Sequence, residues 1–291
     1  MIGFFIQRLL QAIAVMVAMS VIVFVGVYAI GNPIDVMIDP ASDQALRAAL
    51  IKRYGFDRPL FEQYFIFMGN LLRGDLGESF IYRLPVLGLI FDRLPATLEL
   101  AVCAMLIATL VGIPLGIWAG YRPDAVSSKL IMGLSVLGFS VPTFWVGLLL
   151  IMTFAVELGW LPSGGRGPVS TVLGMPLSIT SLEGLSHLLL PAFNLALFKL
   201  GLLIRLARAG TVEVMSADYV RFARAQGLSE SKVLGLHVLK NISIPIVTVF
   251  GLEFGSTLAF AVVTETVFNW PGMGKLIIDS INVLDRPVIV A

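Results

Sequence analysis

The chain has 291 residues, of which 57% are hydrophobic and only 13% charged, and its mean hydropathy is +0.92. Soluble domains are about 25% charged, so a soluble fold of this size lacks the polar surface to cover so many apolar residues. A net charge of +1 gives bulk electrostatics no pull toward nucleic acid or another strongly anionic partner. The single cysteine, Cys103, lies in an apolar run and excludes an intramolecular disulfide and a cysteine-based zinc cluster.

Residues 9–30 form the first apolar run, long enough for a hydrocarbon core that needs about 20 residues. The apolar region of a cleaved leader is only about 7–15 residues long. Residues 1–30 therefore read as an uncleaved first span. Residues 31–95 mix cations such as Arg47, Arg58, Arg73 and Arg83 with carboxylates such as Asp57, Glu62, Asp75 and Glu78, and are broken by Gly55, Pro59, Gly74, Gly77 and Pro85. This segment is too polar to span and reads as a small external subdomain of short helices. Gly74-Asp75-Leu76-Gly77 within it reads as a turn without chemistry.

Residues 96–291 read as the main transmembrane domain. Its first span, 97–119, carries Ala108, Gly112, Gly116 and Gly120 at spacings of four, with Pro114 as a bend. Small residues on one face let helix backbones approach closely in lipid, where packing drives association. The next span, 130–156, is interrupted at Gly138 and Pro142. A structural kink and a break lining a pathway are both open there. Residues 157–186 form a loop whose only Lys or Arg is Arg166, and spans four and five cover 187–209 and 245–267. Gly251, Gly255 and Ala259 give the fifth span another small-residue face.

Lys199 and Glu253 stand out as charges well inside apolar runs, where a charge is costly unless paired or hydrated. Counted from the polar loop between them, they lie roughly 15 and 12 Å deep at 1.5 Å per residue. They read as an ion pair facing the bundle interior.

The polar, basic loop 210–244 separates these last two spans. Ser216 or Asp218 offers an N-cap, and Gly227 can end the first helix in the left-handed conformation. Ser229 offers an N-cap for a second helix running to about residue 241. The loop holds Arg221, Arg224, Lys232 and Lys240, and an excess of Lys and Arg in short loops marks the cytoplasm. This puts the N-terminus inside and 31–95 outside.

Ala223, Gly227 and Pro245 within DYVRFARAQGL and KNISIPIVTVFG resemble the cytoplasmic "EAA" loop of ABC-importer permeases, in the dipeptide, oligopeptide and nickel branch. YGFDRPLFEQY, RGDLGESF and RLPATLEL resemble the same branch, and FNWPGMGKL its external turn after span five. Arg221 is common at its position in that branch, whereas Phe222 departs from it. The resemblance implies an all-α polytopic bundle in the cell inner membrane. Asp218, Tyr219, Arg221, Ala223, Arg224, Ala225, Gly227 and Pro245 would form its ATPase-coupling loop. Two ABC ATPases, a second homologous permease and an external solute-binding protein would be its partners, and peptides its cargo. A sixth span would be expected after Asp285, where only RPVIVA follows.

Catalytic chemistry is not expected. GxxxxGK[ST], GxSxG and HExxH patterns are missing, and His187 and His237 have no companions at metal-ligand spacing. The chain would bind no cofactor itself, ATP being used by the partner subunits. The alternative from another class is an ion- or proton-coupled carrier relaying charge through Lys199 and Glu253.

Overall fold

The computed structural model describes residues 2–30, 44–172 and 174–291, and divides into two compact units, 1–93 with 276–291, and 94–275. The architecture is helical, as the apolar runs require. Helices Gly3–Val27, Val86–Tyr121, Leu182–Ser216 and Glu230–Val267 are each long and apolar enough to cross a membrane, and a bent pair brings the total to five if it counts as one span. Apolar side chains that face outward along them, such as Phe5, Leu10, Ile22, Leu110 and Phe260, are what a bilayer solvates.

The first unit contains α1 (Ile2–Ile30), α2 (Gln44–Tyr54) and α3 (Leu60–Leu71). Phe24 of α1 packs edge-on against Tyr64 of α3 at 5.4 Å, and the Ser20 and Tyr64 hydroxyls lie 2.8 Å apart. A second cluster buries Val86, Leu89, Leu276 and Val288. Residues 31–43 of the expected external segment lie outside the described residues.

The second unit is built on α4 (Val86–Tyr121, whose first turns belong to the other unit) and α7 (Leu182–Ser216). Along α4 the small residues meet α7 directly: a Cβ on Gly116 would stand 2.6 Å from both Ala207 Cβ and the Ile204 carbonyl oxygen. Only a residue without a side chain permits that approach at Gly116 and Gly120, where a Cβ would stand 2.6 Å from its neighbour, and Gly112 is tight at 3.1 Å, so the three set the spacing of the two helices. Gly251 and Gly255 differ, because a Cβ on either meets nothing within 4 Å. Their face of the last long helix is open among the described residues.

The interrupted span is more than kinked. Its halves, α5 (Val126–Ser140) and α6 (Thr143–Leu150) with a π-helical extension over Ile151–Glu157, bend by 107°. Val141 is extended at φ −95°, ψ 134°, the conformation imposed on a residue before proline. The following loop adds an antiparallel hairpin, β1 (Ser170–Val172) with β2 (Met175–Leu177).

One other expectation is corrected. The last long helix does not begin at Pro245. Short α8 (Asp218–Ala225) and α9 (Glu230–Lys232) are followed by a π-helical turn, Val233–Leu239, which leads straight into α10 (Lys240–Val267) with Pro245 inside it. The FNWPGMGKL segment does turn after this helix, and the turn is packed inside the unit. Phe268 and Trp270 are buried, Trp270 Nε1 donates to the Ala96 carbonyl at 2.9 Å, and α11 (Met273–Asn282) starts at once. A short α12 (Arg286–Val290) follows.

Candidate functional site

The polar loop folds as helix, glycine turn, helix. α7 stops because Ala217 turns extended at φ −72°, ψ 145°. Neither expected residue caps α8: Ser216 Oγ donates back to the Glu213 carbonyl, Asp218 lies inside the first turn, and the capping position falls to Ala217. Ser229 does occupy the N-cap of the next helix, without a side-chain capping bond. At the other end of α8, Gly227 adopts φ +84°. The Gly227 amide donates to the Arg224 carbonyl at 2.9 Å and the Leu228 amide to the Ala223 carbonyl at 3.2 Å. This pair of bonds is a Schellman motif, which needs a left-handed residue at its centre.

The two faces of α8 differ sharply. Val220 is buried in the cluster that includes Val214, Val233, Val238 and Ile242, and Ala223 is buried one turn further along the same face. The opposite face presents Tyr219 (46% exposed) and Phe222 (64% exposed) beside the solvent-facing Arg221. Arg224 clips the two helices together through Nε to Glu230 Oε1 at 2.8 Å and Nη2 to Oε2 at 3.1 Å. The bonds to Glu230 raise the Arg224 pKa further above its already high ordinary value. A Cβ on Gly227 meets nothing within 4 Å, so the turn projects into open space. Asp218, Ala225 and Pro245 are exposed too, but Pro245 lies in α10, away from the turn.

Deeper in the unit, Lys199 Nζ lies 2.5 Å from Glu253 Oε2 and 2.7 Å from Ser256 Oγ. Lys199 is 5% exposed at its side chain and Glu253 26%. The pair therefore sits at the edge of the α7–α10 contact, on the side of α10 opposite Gly251 and Gly255.

Two buried carboxylates escaped the sequence reading because each lies near the end of an apolar run. Glu99 Oε2 accepts from Arg166 Nε at 3.0 Å and Nη2 at 2.7 Å, while Glu99 Oε1 accepts from the Ser178 amide at 2.6 Å and the Ile179 amide at 2.9 Å. Glu265, also buried, accepts from Thr97 Oγ1 at 2.6 Å and from the Lys275 amide at 3.0 Å. Arg166 lies over the Trp270 ring at 5.8 Å. Together they tie residues 96–99 of α4 to the hairpin loop and to the turn after α10. The isolated Arg166 of the loop was the one available signal. Among the described residues no group of histidine, cysteine or carboxylate side chains could hold a metal.

The sequence profile described as binding-protein-dependent transport system inner membrane component matches residues 112–291, and that of its N-terminal part matches residues 1–101. The chain belongs to this family. The permease is 38% identical to an oligopeptide transport system permease protein of Bacillus subtilis strain 168, over 100% of this chain and 91% of that relative. It is 39% identical to a di/tripeptide transport system permease protein of Pseudomonas aeruginosa strain UCBPP-PA14, over 99% and 90%. A glutathione transport system permease protein of Escherichia coli O6:H1 is 37% identical over 100% of this chain and 90% of its own length. Family membership and the long apolar helices make the permease a multi-pass inner-membrane protein. The charge-relay carrier is not favoured.

Proposed function

We propose that the chain is the membrane subunit of an ATP-driven importer of peptides, coupled to separate ATPase subunits through α8 and the Gly227 turn. The observation that carries the coupling role is the two-faced α8: it is buried on Val220 and Ala223, yet it offers Tyr219, Phe222 and Arg221 outward beside an unobstructed glycine turn. The peptide class follows the relatives, whose names specify oligopeptide, di/tripeptide and glutathione transport.

The loop is continuous with the bundle at both ends. α7 enters it without a break, and the helix from Glu230 leads directly into α10. Force applied to α8 by closing ATPases would pass through the Val214, Val220, Val233 and Val238 cluster into both helices. A second homologous permease would complete the pathway, and an external binding protein would deliver the peptide. Arg205, Arg208, Arg221 and Arg224 around the loop support a cytoplasmic loop and N-terminus. No ATP site is assigned to this chain.

Ala223 changes its role in this account. It is 5% exposed, so enlarging it disturbs the loop's own packing, whereas the outward Phe222 probes docking alone and Gly227, at φ +84°, probes docking together with the turn conformation. The test is uptake of a labelled dipeptide into proteoliposomes holding the reassembled transporter. Uptake that requires ATP and ignores an imposed pH gradient is expected. Uptake without ATP, driven by the gradient, would overturn the reading in favour of a carrier.

A further inference from the structure

The first unit encloses a half-open cavity of about 870 Å³, within the range of small-molecule sites, about 300–1,000 Å³. Four cationic residues line it, Lys52, Arg58, Arg83 and Arg286, against Asp75 and Glu78, and Arg58 also holds Glu62 at 3.0 Å through one of its guanidinium nitrogens. Its apolar part includes Phe24 and Phe67. The cations are brought there by a constrained backbone. Arg83 has φ +53° and Leu284 φ +53°, left-handed conformations that non-glycine residues hold only where the surroundings enforce them. Buried Asp285 provides that enforcement: it accepts from Ser79 Oγ and, at 3.0 Å, from the Phe80 amide. Ser79 in turn receives the Tyr82 amide at 2.8 Å on Oγ and the Arg83 amide at 3.1 Å on its carbonyl. Arg286 follows Asp285 and rests over the Phe56 ring at 5.1 Å.

The position of the cavity selects its occupant. Phe24 lies six residues before the end of α1, roughly 9 Å along the helix, so the cavity floor lies at a bilayer boundary. Beside it, α3 and its C-cap residue expose Phe61, Phe65 and Leu72, which are 67%, 68% and 84% exposed. A helix with such an apolar face lies in the membrane interface. A lining that joins cations to aromatic rings, next to an exposed apolar helix face, matches one ligand.

We propose that this cavity binds an anionic phospholipid, its phosphate held by Arg58, Arg83 and their cationic neighbours and its glycerol and upper acyl region resting on Phe24 and Phe67. Juxtamembrane cations attract anionic lipid headgroups additively.

The experiment takes the full chain in detergent, strips it of lipid, and titrates it with phosphatidylglycerol, phosphatidylcholine, glycerol 3-phosphate and a dipeptide, counting bound molecules by native mass spectrometry. The wild type should hold one phosphatidylglycerol at least ten times more tightly than phosphatidylcholine. Arg58→Gln with Arg83→Gln should weaken it roughly 10- to 30-fold, while Arg83→Lys should retain it. If the double variant melts at a lower temperature, Lys52→Gln, on an exposed side chain, reads the same site and should weaken binding several-fold. Equal binding of the two lipids, or unchanged binding in the glutamine variants, would overturn the proposal. Saturation by glycerol 3-phosphate or the dipeptide at matching affinity would overturn it in favour of a soluble anion.

Discussion

Glu99→Ala is expected to destabilise the second unit by about 3–5 kcal/mol, the cost of leaving a buried charge without its partner. Glu99 and Arg166 are 2% and 9% exposed at their side chains, so solvent does little to compensate Arg166. The Ser178 and Ile179 amides lose their acceptor as well. At roughly 2–4 °C per kcal/mol for a domain of this size, thermal unfolding of the purified chain should fall by about 6–20 °C. Glu99→Gln keeps an oxygen for the two amides but loses the charge opposite Arg166, and should fall between wild type and alanine. An alanine variant that melts with the wild type would show that the cluster contributes no net stability.

Lys199→Met should be the second most damaging change, by about 3 kcal/mol, at the lower end of the buried-pair range because Glu253 is 26% exposed and partly reached by solvent. It leaves a carboxylate with Ser256 as its remaining donor at membrane depth. Adding Glu253→Gln removes that charge and should recover most of the loss in melting temperature and in peptide uptake. This non-additivity is the signature of a coupled pair. Losses that simply sum would mean the two side chains act independently despite their 2.5 Å contact.

Local chemistry was legible in the sequence, and long-range chemistry was not. The Gly227 turn could be read because a single left-handed residue between two Pro-free segments suffices to specify it. The Gly112, Gly116 and Gly120 stripe could be read because one helix carries the whole pattern, and α7 simply accepts it. Gly251 and Gly255 carry the same pattern but meet nothing within the described residues, so a stripe alone does not name its neighbour. The start of the last long helix was misplaced because Pro245 looks like a boundary, whereas the helix already runs from Glu230 and passes it.

The pairs that hold the second unit together are separated by large stretches of chain. Glu99 meets Arg166 across 67 residues, and Thr97 meets Glu265 across 168. Neither partner signals the other locally, and both carboxylates lie near span ends where solvation is the default expectation. The burial of Trp270 within its turn was illegible for the same reason. Its composition, rich in glycine with one proline, suits a turn, and only the bond to Ala96 reveals that the turn is packed inside. The 107° break at Pro142 was legible in place but not in extent, since proline fixes its own φ and restricts its predecessor without setting where the next helix goes.

The coupling role of the Gly227 turn is tested most directly by gentle affinity purification of the chain from its own membranes, beside Gly227→Trp. The indole would project where a Cβ now meets nothing, blocking the outer face without touching the Val220 or Ala223 side chain, while the φ of +84° confines the added strain to the turn. Two ATPases and a sister permease should accompany the natural chain, and the ATPases should be lost from the tryptophan variant while it still inserts and melts normally. Full recovery of the ATPases with the variant, or their absence from both preparations, would contradict coupling through this turn.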